Sequence, residues 1–137
     1  FKSINDGHGH IAGDMVLQEV SQRLAAAIRE TDTLGRWGGD EWLMVLPETA
    51  PEDALILTRR LRNNVRKKAV ILGDGTAIHT SLSIGLSGYP GQGRTIQDLV
   101  SEASEALRSA KGAGRDAEGY LPVKDTPDPS QSGSVTD

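Results

Sequence analysis

The stretch GRWGGDEWLMVLP, Gly35 to Pro47, sets two tryptophans about a glycine pair and two adjacent carboxylates, then runs at once into apolar residues. Thr33–Trp37 and Trp42–Leu46 read as two strands. Gly38-Gly39 between them is able to take the positive φ angles of a tight hairpin turn. Asp40 and Glu41 then stand at the mouth of the second strand. Successive strand residues face opposite sides, so the two carboxylates are not equals. One suits Mg²⁺ through a hard oxygen, while the other supports the turn or a second ion. Mg²⁺ on phosphate oxygens is a common way to stabilise charge in phosphoryl or nucleotidyl transfer. Taken alone, such a tetrapeptide more commonly marks a hairpin tip with solvent-facing acids.

Helical and strand patterns alternate on both sides of this hairpin. From about Ile11 to Glu30, Leu17, Val20, Leu24 and Ile28 form one apolar stripe at helical spacing. Pro51 opens a second helix, where its missing N–H does no harm. Ala54, Leu57, Leu61 and Val65 are its buried stripe, and Arg59, Arg60, Arg62, Arg66, Lys67 and Lys68 make a solvated basic face. Ala69–Leu72, the turn Gly73-Asp74-Gly75 and Ala77–Ser87 read as a second hairpin, with Ile78, Thr80, Leu82, Ile84 and Leu86 alternating as a half-buried strand does. Thr95 with Asp98 resembles a capping box and starts a third helix, striped by Leu99, Ala103, Leu107 and Ala110 and ended by Gly112 or Gly114. A last strand is expected near Gly119–Leu121. The order implies an α+β fold, with helices packed on a mostly antiparallel sheet. Pro122–Asp137 is rich in Pro, Ser, Asp and Thr, and is expected to be a disordered tail after a domain spanning 1–121.

The 137 residues suit one domain, and 36% hydrophobic with 25% charged residues is an ordinary soluble composition. A net charge of -4 gives no global basic field, so nucleic acid is not indicated as a partner. Without cysteine there is no disulfide framework and no thiolate metal site. No apolar run reaches membrane-spanning length, and a cytoplasmic setting fits.

Two further stretches hold groups able to do chemistry. In FKSINDGHGHIAGD, Phe1–Asp14, Asn5, Asp6, His8, His10 and Asp14 crowd what reads as a short loop before the first helix. Glycines at 7, 9 and 13 let the backbone bend and approach a ligand closely. An amide beside a carboxylate suits a base edge that offers both donors and an acceptor, as guanine does. The ordinary alternative is an Asx-rich helix entry. In KGAGR, Lys111–Arg115, two cations flank two glycines just past a helix. They would serve a triphosphate, or would simply offset the helix macrodipole.

Taken together, FKSIND, GHIAGD, RETDTLGRWGGDEW, SLSIGLS and AKGAGR, in this order, resemble the GGDEF family, the diguanylate cyclase domain, over roughly Phe1–Tyr120. The resemblance implies a ferredoxin-like sandwich similar to the palm of polymerases and adenylyl cyclases. It implies an enzyme that joins two GTP molecules into cyclic di-GMP with release of pyrophosphate. An antiparallel homodimer would hold one GTP per subunit, helped by Mg²⁺ or Mn²⁺. By position, Asn5 and Asp14 would hydrogen-bond guanine, and His10 would line the nucleotide site. Lys2 would stabilise charge at the phosphates. Asp40 would be a metal ligand and proton acceptor, with Glu41 beside it at the metal site. Lys111 and Arg115 would hold the triphosphate. RETD, Arg29–Asp32, matches an RxxD motif at which the product inhibits, and Arg60 matches a secondary arginine for the same ligand. Without that context, Arg29 and Asp32 read as an i,i+3 ion pair at a helix end.

Some positions depart from the family pattern. Trp42 stands for the usual Phe, Ser104 for a common Asp, Arg108 for a common Tyr and Asp116 for a frequent Asn. The family's first metal-binding Asp lies in a strand upstream of Phe1. The expectation is therefore a fragment, inactive by itself, of a longer protein whose upstream sensor domains could attach it to a membrane. The alternative reading is a module that binds GTP or cyclic di-GMP without catalysis.

Overall fold

The structure, a computed structural model, describes residues 2–89, 95–113 and 118–120, with side chains at 4–89 and 95–113. Its first helices are α1, Lys2–His8, and α2, His10–Ala27. The first corrects the sequence reading: the polar segment before α2 is not a loop. Asn, Asp and Gly are poor helix formers, but Ile4 is buried and α1 packs on α2, so tertiary burial overrides local propensity. Gly9 separates the two helices at φ 89, a conformation that side chains rarely take. Its N–H donates to the Asn5 carbonyl at 2.8 Å, and its own carbonyl accepts from Gly13 at 3.2 Å.

Along α2 the buried face is Ala12, Val16, Val20 and Leu24. Leu17 and Ile28, expected in the stripe, are only half-buried. α1 packs on α2, as does α3, Pro51–Lys67. Proline sits in the first turn of α3, with Glu52 and Asp53 there and Arg66 and Lys67 in the last turn, each sign matching the helix dipole. Ala54, Leu61 and Val65 are buried as the spacing predicts. Thr58 joins them, satisfied by donating to the Leu55 carbonyl at 2.9 Å, while Leu57 is half-buried. Arg23 closes the far end of α3. Its side chain is 8% exposed, its Nε pairs with Glu19 at 3.2 Å, and its two terminal nitrogens donate to the carbonyls of Lys68 and Ala69. Those carbonyls lie where the helix ladder has run out.

β1, Thr33–Arg36, pairs antiparallel with β2, Trp42–Val45, with Thr33 opposite Val45 and Arg36 opposite Trp42. β3, Val70–Ile71, pairs antiparallel with β4, Ala77–Ile78, across a turn. There the Thr76 N–H donates to Asp74 Oδ1 at 2.9 Å, and Gly75 takes φ 85. The continuous strand expected over Ala77–Ser87 is broken. Residues 79–83 have no ladder partner among the described residues, and alternation alone does not make a strand. These elements belong to a first unit, Phe1–Leu82.

The second unit, Ser83–Asp137, holds β5, Ile84–Leu86, α4, Ile96–Gly112, and β6, Glu118–Tyr120. β5 and β6 pair in parallel, Ile84 with Glu118 and Leu86 with Tyr120. α4 supplies the crossover that a parallel pair needs. The capping box is complete: Asp98 N–H donates to Thr95 Oγ1 and Thr95 N–H to Asp98 Oδ2, both at 3.1 Å. Ala106 and Ala110 are the buried positions of α4, and Leu99, Ala103 and Leu107 flank them half-buried. Gly85 lets β5 lie directly on this helix: a Cβ there would stand 2.1 Å from the Ala103 carbonyl oxygen and 2.4 Å from the Leu107 nitrogen. The tail expected over 122–137 lies outside the described residues.

Candidate functional site

The Gly38–Glu41 turn is built differently from the sequence reading. Gly38 and Gly39 are not among the positive-φ glycines, so their left-handed freedom is not what closes the hairpin. The N–H groups of Trp37 and Gly38 both donate to the Glu41 carbonyl, at 2.9 and 3.2 Å. Arg36 then folds back over the turn. Its Nε donates to the Gly38 carbonyl at 3.1 Å and the Gly39 carbonyl at 3.2 Å, and its Nη2 also reaches Gly39. The same guanidinium lies 5.7 Å from the centre of the Trp42 ring, its cross-strand neighbour. Trp42 Nε1 donates to Ser21 Oγ at 2.8 Å, tying the hairpin to α2. A phenylalanine at this position has no such donor.

Asp40 and Glu41 therefore lie in the turn, before β2, rather than alternating along a strand. Asp40 is exposed and Glu41 half-buried. Two adjacent hard carboxylates fit Mg²⁺, which is commonly held by one or two carboxylates with substrate phosphates and water completing the shell. Among the described residues no group of three or more His, Cys, Asp and Glu gathers to hold a metal by itself.

Asn5 and Asp14 come from the two packed helices α1 and α2. The Asn5 amide lies over Gly13: a Cβ at Gly13 would stand 1.8 Å from its Oδ1. The glycine next to Asp14 is thus what admits the Asn5 side chain. His10 is the first residue of α2 and is exposed, as is Asp14. Lys2 opens α1, while its side chain is outside the described residues. Lys111 sits in the last turn of α4, in the second unit. Arg115 lies outside the described residues.

The segment RETD is a tight turn beyond α2 rather than a helix end. The Asp32 N–H donates to the Arg29 carbonyl at 3.0 Å, and the Arg29 N–H returns to Asp32 Oδ2 at 2.8 Å. The Arg29 guanidinium meets the same carboxylate, Nη2 to Oδ1 at 3.2 Å and Nε to Oδ2 at 3.4 Å. Asp32 has only 2% of its side chain exposed. Hydrogen bonds from Arg29 hold its carboxyl below the usual carboxylate range. Arg60, from α3, lines the same cleft as Arg29 and Asp32. The cleft measures about 170 Å³ and is walled by Leu46 and Leu57. That is less than the roughly 300–1,000 Å³ of sites enclosing drug-sized ligands, so it would take part of such a ligand.

Residues 1–117 match the family model described as diguanylate cyclase, GGDEF domain. The chain belongs to the GGDEF family. Among curated relatives, this GGDEF domain is 37% identical to diguanylate cyclase A of Treponema denticola, over 84% of this chain and 31% of that protein. It is 39% identical to the response regulator PleD of Caulobacter vibrioides, over 85% of this chain and 26% of that protein. The chain spans about a third or less of the length of these relatives. The solved GGDEF domain of YfiN (TpbB) from Pseudomonas aeruginosa matches at TM-score 0.83 and 33% identity, covering 90% of this chain and 76% of that one. The fold is thus the nucleotidyl-cyclase palm-like arrangement that the family resemblance implied, and it agrees with the α+β class read from the element order. Among the described residues no helix is long and apolar enough to cross a membrane.

Two contributors to this geometry were not read from the sequence. Arg36 was one. An arginine two residues before a glycine pair, opposite an aromatic, was the available signal. The other is the Pro47–Thr49 loop at the edge of the cleft, which no motif of the sequence marks.

Proposed function

We propose that this GGDEF domain is the catalytic part of a diguanylate cyclase that condenses two GTP into cyclic di-GMP and pyrophosphate, inhibited by its product at the Arg29–Asp32 cleft. The observation that carries the reading is the tethered turn: Asp40 and Glu41 stand on a hairpin held by Arg36 and bonded through Trp42 to α2, the helix that carries His10 and Asp14. Asn5 and Asp14 take the guanine edge, with amide and carboxylate matching its acceptor and donors. His10 lines that site. Asp40 and Glu41 hold Mg²⁺ or Mn²⁺, which when bound neutralises phosphate charge. Asp40 accepts the proton of the 3′-hydroxyl as its oxygen bonds to the α-phosphorus of the other nucleotide and the bond to pyrophosphate breaks. Lys2 stabilises the charge that develops, and Lys111 and Arg115 hold the triphosphate. Each copy of a homodimer binds one GTP, and the setting is the cytoplasm. Arg29, Asp32 and Arg60 bind cyclic di-GMP, a reading supported by their sharing one cleft although Arg60 comes from a separate helix.

The test is to incubate the intact protein with GTP and Mg²⁺ and to assay cyclic di-GMP. Product should form, and Asp40→Ala should abolish it. Bound GTP without product, at high protein concentration, would leave only a nucleotide-binding module. Arg29→Ala should keep synthesis and lose product inhibition; inhibition that persists unchanged would remove the inhibitory role from this cleft.

A further inference from the structure

The Arg29 side chain is 60% exposed, and an arginine that open ordinarily samples many rotamers. Here it is held on one edge. Nη2 faces three acceptors: Asp32 Oδ1 at 3.2 Å, the Pro47 carbonyl at 3.2 Å and Thr49 Oγ1 at 2.7 Å. The threonine contact is the shortest of them. Thr49 Oγ1 also donates to the Pro47 carbonyl at 2.9 Å. A hydroxyl has one hydrogen, so what Thr49 offers Arg29 is a lone pair. The loop is shaped for this. Glu48, between the two acceptors, is the one non-glycine residue at positive φ among the described residues, at 50. A left-handed non-glycine residue is uncommon and costs energy, so it persists where surrounding bonds hold it. Thr49 itself lines the cleft with Arg29, Asp32 and Arg60. Nη1 of Arg29 has no partner among the described residues, which leaves that edge of the guanidinium for a ligand.

We propose that Thr49 is a positioning residue of the inhibitory cleft: its hydroxyl fixes the Arg29 guanidinium before the ligand arrives and so sets the affinity for a guanine-bearing cyclic dinucleotide. This rests on the reading of the cleft given above. A pre-ordered arginine loses less rotamer freedom on binding, and affinity rises by that difference. Asp32 alone is not enough to do this. Its carboxylate bonds hold the guanidinium from one direction, whereas Thr49 and Pro47 reach it from a different segment of the chain.

The test is calorimetric titration of the intact protein with cyclic di-GMP. Thr49→Val keeps the branched shape and deletes the hydroxyl. Its Kd should rise about three- to tenfold, the scale of one ordinary net hydrogen bond. Thr49→Ser should restore near-native affinity, because it returns the hydroxyl. The ligand-free melting temperature of Thr49→Val should stay close to that of the parent, which separates positioning from general loss of structure. If Thr49→Val fails to fold, Thr49→Ala takes its place. Unchanged or tighter binding in the valine variant would overturn the proposal, as would a serine variant as weak as the valine one. Arg29→Ala serves as the separate control. If it binds cyclic di-GMP like the parent, the cleft is not the ligand's site and the proposal falls with that reading. If it loses binding while Thr49→Val does not, the cleft stands and the role of Thr49 fails.

Discussion

At the scale of single residues, Gly13 and Asp32 do work that their types alone do not announce. Gly13 holds open the space into which the Asn5 amide fits. An added methyl at 1.8 Å from Oδ1 must displace that amide, since heavy atoms do not approach so closely. In the proposed reading Asn5 recognises guanine, so Gly13→Ala should raise KM for GTP more than it lowers kcat. Steady-state kinetics would check this, and an unchanged KM would dissociate Asn5 from substrate binding. Asp32 makes a prediction about pH. Its carboxyl titrates below the ordinary value of 3.8 because Arg29 bonds the charged form. Its contribution to stability is therefore fully present above 3.8 and is lost as pH falls through the depressed folded value. Asp32→Asn should melt below the parent at neutral pH, and the gap should close only in strong acid. A gap that closes between pH 5 and 7 would point to a different titrating group.

At the scale of elements, the second unit depends on a bare glycine. β5 lies against the α4 backbone at Gly85, where the nearest atoms are a carbonyl oxygen and an amide nitrogen that no rotamer change moves aside. Gly85→Ala should cost about 1–3 kcal/mol, the range for overpacking. Hydrogen exchange should show lost protection in α4; protection retained there would mean that the strand shifts at no cost. The glycine was readable only as part of a motif, since nothing local marks a strand position that must accept a helix backbone. What was legible was the local chemistry. Pro51 and the Thr95–Asp98 pair start their helices in the structure as the sequence indicates, because caps act within one turn. The paired strands on either side of Gly38-Gly39 were legible too, although the positive φ expected of the glycine pair is not what closes the turn. α1 was not, because burial of Ile4 outweighs a polar, glycine-rich composition. The break after β4 was not, because it depends on whether a neighbouring strand is there to pair. Arg29 and Asp32 were visible as a motif, but the Pro47 and Thr49 acceptors lie 18 and 20 residues further along the chain, and only folding sets them on Arg29.

At the scale of the whole molecule, one copy holds one Asn5–Asp14 pair and one Asp40–Glu41 turn. The proposed reaction joins two GTP through two phosphodiester bonds, so a single copy supplies half of the groups required. Two copies related by a twofold axis would supply both halves identically. That arrangement makes activity depend on how copies meet, and it is separable from the chemistry of each copy. Specific activity should rise with protein concentration until the dimer saturates. A mixing experiment is sharper. Asp40→Ala copies still carry the guanine-reading residues and still pair with the parent, but each mixed dimer has one proton acceptor and can form only one of the two bonds. With parent and variant mixed in equal amounts and exchanging freely, only parent–parent pairs complete the ring, and the rate of cyclic product should fall to about a quarter of that for the same total amount of parent protein. The linear dinucleotide that retains a triphosphate should accumulate in its place. A fall to one half, with no linear product, would mean that each copy closes the ring by itself and would remove the dimer from the mechanism while leaving the Asp40 assignment intact.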